Sequence, residues 1–586
     1  MIENLDTNNY ESFIYQQNSQ IIKNIHDAFH NKISKNQPLI AKNLKLKDVI
    51  RLKYFEYLKN FGNEYLKRKM YNEAKECFIE AIYHVDDDLT CLNNLGLALI
   101  KLGKFAEAKE ILTKALKISP DLPQILNNYS LTLKEEGKLS QSIEILNRII
   151  SKHPDYISAK NNLGLIYSDN RQFTKALKIF FEILSINSMY SEAYRNISKI
   201  YNLTEQFNKA IKTSEQAATK FPNMSFPYNS LGISYYKLGD YNKSLDYLKK
   251  AVRINNQDFD CYNNLGNTLQ RQVKLEEAIT TFKKAISLNP YYYQAYNNIG
   301  NVLKEKGKID EALVAYKKAI FIKPTYAEAH HNLSYALLNN GNIKEGLDEY
   351  EWRWKVSDLL KKRIFLQPEW DGKKSLKGKR IFLWYEQGLG DIINWSSYLN
   401  LISSEVDHCI LECQDKLVPL LERSFPNIEV KPENRSFDLK RSDFDFHLPM
   451  GSIYKHFIQE ISQNPKPKNF LIADPDRVSF WKKRLSSIGK GPYIGISWKS
   501  SNMSHDRLQN YASISEWSDI FKVSDVTFIN LQYNDFVNDL IEIEDKFGVK
   551  VNNFNDLDHF NDIDNVAALC TALDVVVSIK NTIPFI

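Results

Sequence analysis

What this chain has little of narrows the field first. It has six cysteines in 586 residues, at positions 77, 91, 261, 409, 413 and 570, and none fall at zinc-finger spacing. Cys409 and Cys413 share the strand-like run HCILEC, where two metal ligands would be badly oriented. Buried free thiols in a reducing compartment are the expectation. The N-terminus, MIENLDTNNYESFIYQQNSQ, carries early acids and no apolar core of a signal peptide. No run approaches the ~18 apolar residues a membrane helix needs. A cytoplasmic protein without a membrane span is expected. Nor does charge of one sign dominate: 77 Lys and Arg face 71 Asp and Glu, for a net +6. Scattered cations at that net charge argue against nucleic acid as the main partner. There is no Gly-rich Lys-Ser/Thr phosphate loop and no His-x-Asp iron pair. No Asp-x-Asp stands near a strand end, and Asp86–Asp88 fall in a turn. No metal and no resident cofactor are therefore expected.

What is present is repetition. Leu95–Gly96 recurs as Leu163–Gly164, Leu231–Gly232, Leu265–Gly266 and Ile299–Gly300. Degenerate copies stand at Phe61–Gly62, Tyr129–Ser130, Ile197–Ser198 and Leu333–Ser334, and all nine lie on a lattice of 34 residues. Twelve residues after each Gly or Ser comes a small residue: Ala74, Ala108, Ser142, Ala176, Ala210, Ser244, Ala278, Ala312 and Gly346. Prolines at 120, 154, 222, 290 and 324 close units. The pattern is identified as the tetratricopeptide repeat, in which small residues let two antiparallel helices cross closely. Such units stack into an α-solenoid with a long concave face, because one helix pair cannot bury its own apolar side.

Two places before each Gly or Ser stand Asn60, Asn94, Asn128, Asn162, Asn196, Ser230, Asn264, Asn298 and Asn332. A carboxamide offers donor and acceptor together, so a ladder of them suits an extended polypeptide backbone. The same residues could instead bond neighbouring repeats to one another. The array, over roughly 55–356, resembles the repeat region of the protein O-GlcNAc transferases, with Ser230 as a departure. That resemblance implies a peptide-binding role for Asn94, Asn128, Asn162, Asn196, Asn264, Asn298 and Asn332.

The repeats end in EYEWRWKVSDLLKKRIFLQPEWDG, where Trp352, Trp354 and Trp370 read as a cap and joint. From Lys379 the period changes, and strand-like runs alternate with helical ones: RIFLWY, HCILEC, IEV and FDFHLPM, then YIGISW, VTFINLQ, VKV and DVVVSI. Alternation of that kind implies parallel sheets covered by helices. The Pro-Lys break NPKPKN divides two series. The expected organisation is a polar lead-in at 1–54, nine repeats at 55–356 and a joint at 357–378. Two Rossmann-like lobes follow at 379–475 and 476–586, the second incomplete at its C-terminus.

The run RIFLWYEQGLGD pours a strand into a Gly-x-Gly turn and a helix, an arrangement that aims backbone N–H groups at a ligand. EQGLGDIINWSSYL, followed by GISWKSS, FINLQYND and VAALCTALDVVVSI, resembles the heptosyltransferase-like glycosyltransferases of the two-lobed GT-B type, over about 366–586. The resemblance implies transfer of a sugar from a nucleotide-sugar co-substrate to an acceptor hydroxyl. Asp391 then matches the general base, a role that an ionised carboxylate in a cleft can fill; an N-cap is the plain alternative. Gly388 and Gly390 would approach the donor, and Lys499, Ser500, Ser501 and Arg507 would meet its phosphates. A different class of reading keeps only the repeats, as a non-catalytic scaffold for protein partners.

Overall fold

The computed structural model describes residues 44–356, 360–458, 460, 469–499, 513–533 and 536–579. It divides into two compact units, Met1–Gln257 and Asp258–Ile586.

The described part of the first unit is wholly helical. It pairs α1 (Leu44–Lys67) with α2 (Tyr71–His84), α3 (Leu89–Lys101) with α4 (Phe105–Ile118), and α5 (Pro123–Glu135) with α6 (Leu139–Lys152). It continues with α7 (Ile157–Asp169) and α8 (Phe173–Ile186), α9 (Ser191–Leu203) and α10 (Phe207–Lys220), and α11 (Ser225–Leu238) and α12 (Tyr241–Ile254). Local chemistry sets several starts: the Asp88 and Asp240 side chains accept from Cys91 N and Lys243 N, and Pro123 opens α5.

Why glycine recurs every 34 residues is visible in the pairing. A Cβ on Gly96 would stand 2.6 Å from Leu112, on Gly164 2.8 Å from Phe180, and on Gly232 2.4 Å from Leu248. Each clash is with the residue sixteen places on, in the second helix of the same pair. Where serine replaces glycine at Ser198, the opposing residue shrinks too, and Ser198 Oγ meets Ser214 Oγ at 2.8 Å. The small residue twelve places on is equally determined: Ser142 and Ser244 are fully buried and donate to Ser130 O and Gly232 O.

The second unit begins with three more pairs: α13 (Phe259–Arg271) with α14 (Leu275–Leu288), α15 (Tyr293–Glu305) with α16 (Ile309–Ile322), and α17 (Ala327–Asn339) with α18 (Ile343–Tyr350). The same packing holds, with Gly266 against Phe282 and Gly300 against Tyr316. Helix pairs of this kind thus run over roughly residues 50–350. In each unit the turn inside a pair carries one residue at positive φ, on the same 34-residue lattice. Glycine fills it at 103, 137, 239, 307 and 341, while Lys69, Arg171, Glu205 and Val273 adopt it at φ between 57° and 61°.

After a 3₁₀ turn (Glu351–Lys355), the unit builds two four-stranded parallel sheets. The first comprises β1 (Arg380–Trp384), β2 (His408–Cys413), β3 (Ile428–Pro432) and β4 (Phe446–Pro449), ordered β3-β2-β1-β4. The second comprises β5 (Tyr493–Ser497), β6 (Thr527–Asn530), β7 (Val551–Asn552) and β8 (Val575–Ser578), ordered β7-β6-β5-β8. One face of the first sheet packs on helices through Ile381, Leu383 and Leu411. The other face, Phe382, Trp384 and Ile410, is covered by Trp354 and Phe365 from the segment after the repeats. Arg363 from that segment is buried between Glu412 and Asp438, and Trp370 N donates to His447 O at 3.0 Å along β4. The joint expected from the tryptophans is therefore part of the first sheet's core. Packing accounts for all three: Trp352 stacks on His330 at 3.7 Å, Trp354 lies 5.6 Å from Trp384, and Trp370 is buried.

The two sheets meet through α20 (Val418–Ser424) and α21 (Ile563–Ala572), where Arg423 pairs with Asp564 and Lys416 Nζ donates to Phe560 O at 3.0 Å. Five of the six thiols are buried, as expected. Among the described residues, no helix is long and apolar enough to cross a membrane.

Candidate functional site

In a parallel sheet, the carboxyl ends of the two strands at which chain order reverses flank a crevice. For the first sheet these strands are β1 and β4. Tyr385, Glu386 and Gln387 leave β1, and Gly388 N-caps the eight-residue helix α19 (Leu389–Ser396). Gly451 and Ser452 leave β4 on the other side.

Glu386 stands inside this crevice, its side chain almost wholly buried. Gly451 N donates to Glu386 Oε2 at 3.4 Å, and a Cβ at position 451 would lie 2.4 Å from Glu386 Oε1. Here glycine is needed for close approach. Arg353, 0% exposed, reaches the same carboxylate from the 3₁₀ turn that ends the repeats. Its Nη2 donates to Glu386 Oε1 at 2.9 Å and to Ser452 Oγ at 2.8 Å, and its Nη1 donates to Glu351 Oε1 at 2.8 Å. Ser452 Oγ closes the network by donating to Glu351 Oε1 at 2.7 Å. One guanidinium thus serves the buried Glu386 carboxylate and the half-buried Glu351 carboxylate. Burial pushes the Glu386 carboxyl up to about 7 against the pull of Arg353, with the Glu351 charge adding to the rise.

Asp391 lies outside this core, exposed in the first turn of α19. Gly388, not Asp391, is the N-cap; Asp391 is the third helical residue, and its Oδ2 accepts from Gly388 N at 3.2 Å, as the acid of a capping box does. Gly388 holds φ −73° and ψ 174°, ordinary extended backbone. The turn therefore does not need glycine's left-handed freedom at 388. A Cβ there would meet only Asp391 Oδ2, at 3.5 Å. Gly390 sits within the first turn of α19.

The last repeat supplies a third wall. Tyr335, on α17, has its phenol pushed up by burial and then by the charge of Asp391. The His331 ring lies 4.9 Å from Tyr335 and 6.2 Å from Tyr350, while Gln387 Nε2 donates to Tyr350 Oη at 2.7 Å. Burial, aided by the charges of Arg353 and Lys304, pushes the His331 imidazole down to about 4. Burial also lowers Lys304. None of these repeat residues was singled out from sequence. His331 was nonetheless detectable, since it breaks a run of asparagines at one repeat position.

The second sheet has its own first turn. Gln532, fully buried, accepts at Oε1 from Trp498 N at 3.0 Å and Lys499 N at 2.9 Å, and donates from Nε2 to Lys499 O at 2.9 Å. The Lys499 ammonium pairs with Asp539, which also accepts from Trp498 Nε1 at 2.9 Å. Ser500, Ser501 and Arg507 lie outside the described residues. At the carboxyl ends of β6 and β7 a cavity of about 230 Å³ is lined by Tyr533, Phe536, Asn553, Phe554, Asp558 and His559.

The asparagine ladder bonds repeat to repeat. In the first unit Asn94 Nδ2 donates to Asn63 Oδ1 at 2.8 Å, Asn128 to Asn93 and Asn162 to Asn127 at 2.9 Å, and Asn196 to Asn161 at 3.4 Å. In the second, Asn298 donates to Asn263 at 2.9 Å and Asn332 to Asn297 at 3.0 Å. Each of these six amide nitrogens is directed at the neighbouring repeat.

Among the described residues, no group of three or more His, Cys, Asp or Glu side chains is arranged to hold a metal ion.

Comparison with known proteins agrees with the repeat architecture. The family described as "TPR repeat" matches residues 228–273 and 300–341. Families described as "Tetratricopeptide repeat" match 259–292, 99–163 and 281–314. Protein FlbA of Caulobacter vibrioides (strain ATCC 19089 / CIP 103742 / CB 15) is 32% identical over 226 residues, covering 36% of this chain and 38% of that protein. The chain thus spans under two fifths of that relative's length. Among solved structures, a tetratricopeptide repeat protein from Parabacteroides merdae ATCC 43184 is 19% identical, covers 43% of this chain and 99% of its own, and has a TM-score of 0.36. The APC/C hetero-tetramer Cut9-Hcn1 is 17% identical, covers 50% of this chain and 72% of its own, and has a TM-score of 0.36. YrrB, described as a TPR protein with an unusual peptide-binding site, is 24% identical, covers 32% of this chain and 97% of its own, and has a TM-score of 0.25. At those TM-scores the structural likenesses add nothing to what the repeats themselves establish. The chain carries tetratricopeptide repeats, a scaffold suited to protein–protein interaction.

Proposed function

We propose that this chain is a nucleotide-sugar-dependent glycosyltransferase of the heptosyltransferase-like, GT-B type, with its repeats holding a polypeptide partner or acceptor. The observation that carries the reading is the tandem of parallel sheets in one strand order, β3-β2-β1-β4 and β7-β6-β5-β8. Two such sheets bring two first-strand turns and two switch-point crevices, one for an acceptor and one for a donor. Asp391 on the first turn is the proposed base, taking the proton of the acceptor hydroxyl as its oxygen attacks the anomeric carbon. Gly388 and Gly390 would let the donor approach the backbone of this turn, and Lys499, Ser500, Ser501 and Arg507 would meet the departing diphosphate. The aromatic and amide lining of the 230 Å³ cavity beside the second sheet suits a nucleoside base. We take the working domain bounds as 55–356 for the repeats, 357–378 for the joint, and 379–475 and 476–586 for the lobes.

A second reading has its own support. Arg353 fills the first switch point, and Asp539 already pairs with Lys499. Both suit a scaffold in which the sheets are structural and only the repeats bind. Calorimetric titration of the full chain with UDP-, GDP- and ADP-sugars separates the two. Saturable binding of one donor, weakened when Lys499 is replaced by Met, supports the enzyme; no binding of any donor supports the scaffold.

A further inference from the structure

The ladder ends in an acceptor that the ladder does not use. Three residues before the Gly or Ser of each repeat in the second unit stand Asn263, Asn297 and His331. Asn263 Oδ1 accepts an amide N–H from Asn298, and Asn297 Oδ1 accepts one from Asn332, each a carboxamide of the following repeat. After α17 and α18 the chain turns into the 3₁₀ segment and β1, so no further repeat supplies the next asparagine. In that slot His331 Nε2 is buried and has no hydrogen-bond partner. A buried ring nitrogen left unpaired is costly; with the imidazole proton on Nδ1 it is an acceptor, and a native site commonly completes such a group with a ligand or an ordered water.

The surroundings say what the partner is like. The His331, Tyr335 and Tyr350 rings form one cluster with centroids 4.9–6.2 Å apart, and the charges of Arg353 and Lys304 help keep the imidazole uncharged. Two nearby cations disfavour a cationic ligand, and a neutral imidazole's unprotonated nitrogen takes one N–H or O–H donor. Every other occupant of this slot in the unit receives an amide N–H. Tyr335, next to His331, also feels the charge of Asp391, so a chain held here lies beside the first turn of α19.

We infer that His331 Nε2 accepts an amide N–H of a bound polypeptide, anchoring it at the last repeat beside Asp391. The inference rests on the polypeptide half of the proposed function and not on sugar transfer. His331 is a positioning residue in this account.

The test uses the full chain and a defined probe, a pool of fluorescein-labelled dodecapeptides with capped ends and randomised interiors. The peptide best retained by immobilised wild type is titrated by anisotropy against wild type, His331→Asn and His331→Phe. Asn restores the acceptor found at 263 and 297, whereas Phe keeps the ring and removes the acceptor. The expected order is Asn equal to wild type within about twofold and Phe weaker by about tenfold or more. Methylating single backbone nitrogens of the peptide should find one position whose loss is large in wild type and absent in His331→Phe. The reverse order, Phe equal to wild type and Asn weak, assigns the ring to packing and overturns the inference. So does failure of wild type to retain any peptide above a blank surface, or an ordered water as the only partner of Nε2 in a peptide-bound crystal. Donor titration of the same preparations reports on the glycosyltransferase reading separately.

Discussion

Replacing Arg353 with Met should be among the most damaging single changes in the second unit. The guanidinium is 0% exposed and bonds Glu351, Glu386 and Ser452. Met is close in length and fills most of the volume, so little of the cost comes from a cavity. The cost comes from Glu386 and Glu351, left without the guanidinium that both bond. Breaking a buried pair by removing one partner typically costs about 3–5 kcal/mol. Because the Glu386 carboxyl already sits at about 7 with Arg353 present, its loss should leave Glu386 protonated at neutral pH, and the net penalty should settle near 3 kcal/mol. Urea unfolding followed by tryptophan fluorescence reads this directly, since Trp354 and Trp384 lie on the sheet that Arg353 anchors. Glu386→Gln in the wild-type background keeps the Arg353–Glu351 pair and should cost about 1 kcal/mol. The triple change Arg353→Met, Glu351→Gln, Glu386→Gln should recover at least half of the Arg353→Met loss. A loss under about 1 kcal/mol for Arg353→Met, or no recovery in the triple variant, would refute the view that this guanidinium is an internal counter-ion.

Other perturbations probe separate parts. Val273 is 60% exposed and sits at φ 60°, where glycine stands in five of the nine equivalent turns; Val273→Gly should stabilise by about 0.5–1 kcal/mol in urea unfolding, and Gly307→Val should lose about 1–2 kcal/mol. In the ladder, a double-mutant cycle of Asn128→Ala with Asn93→Ala should give a coupling of about 1 kcal/mol, and none would place the ladder's worth elsewhere. Burial holds His447 down at about 4. The folded form therefore binds fewer protons than the unfolded chain, whose imidazole titrates near 6.5, so stability is lost as pH falls from about 6.5 to 4. The loss is on the order of 3 kcal/mol from this residue, and urea midpoints of His447→Asn should fall less steeply over that window than those of wild type.

The repeats were legible because their signal is local and periodic. Gly96 with Leu112 and Ser198 with Ser214 are sixteen apart inside one hairpin, so the lattice of 34 carries both the helices and their packing. The ladder was legible as a pattern but not as a role. Facing a peptide and bonding the next repeat ask for the same carboxamide, and only coordinates show Asn128 Nδ2 directed at Asn93. The alternation of strands was readable from apolar runs, which supplied both sheets. What covers the first sheet was not. Arg363 meets Glu412 and Asp438 across 49 and 75 positions, and Arg353 meets Ser452 across 99, so no window of sequence contains either network. For the same reason attention fell on Gly388 and Gly390, although at this crevice it is Gly451 whose Cβ would strike Glu386. Glu386 lies in the run RIFLWYEQGLGD, but its burial was not readable there.

The central claim is chemical, and one comparison tests it most directly. Release of nucleoside diphosphate from UDP-, GDP- or ADP-sugar, with water as the acceptor whose proton Asp391 takes, is followed for the full chain and for Asp391→Asn, with donor binding measured on both. The account predicts turnover by wild type with one donor, a fall of about 10²–10⁴-fold in Asp391→Asn, and donor affinity unchanged within a few-fold. Equal turnover in the two proteins, or none in wild type despite bound donor, would contradict it and leave the repeats as the only functional part of the chain.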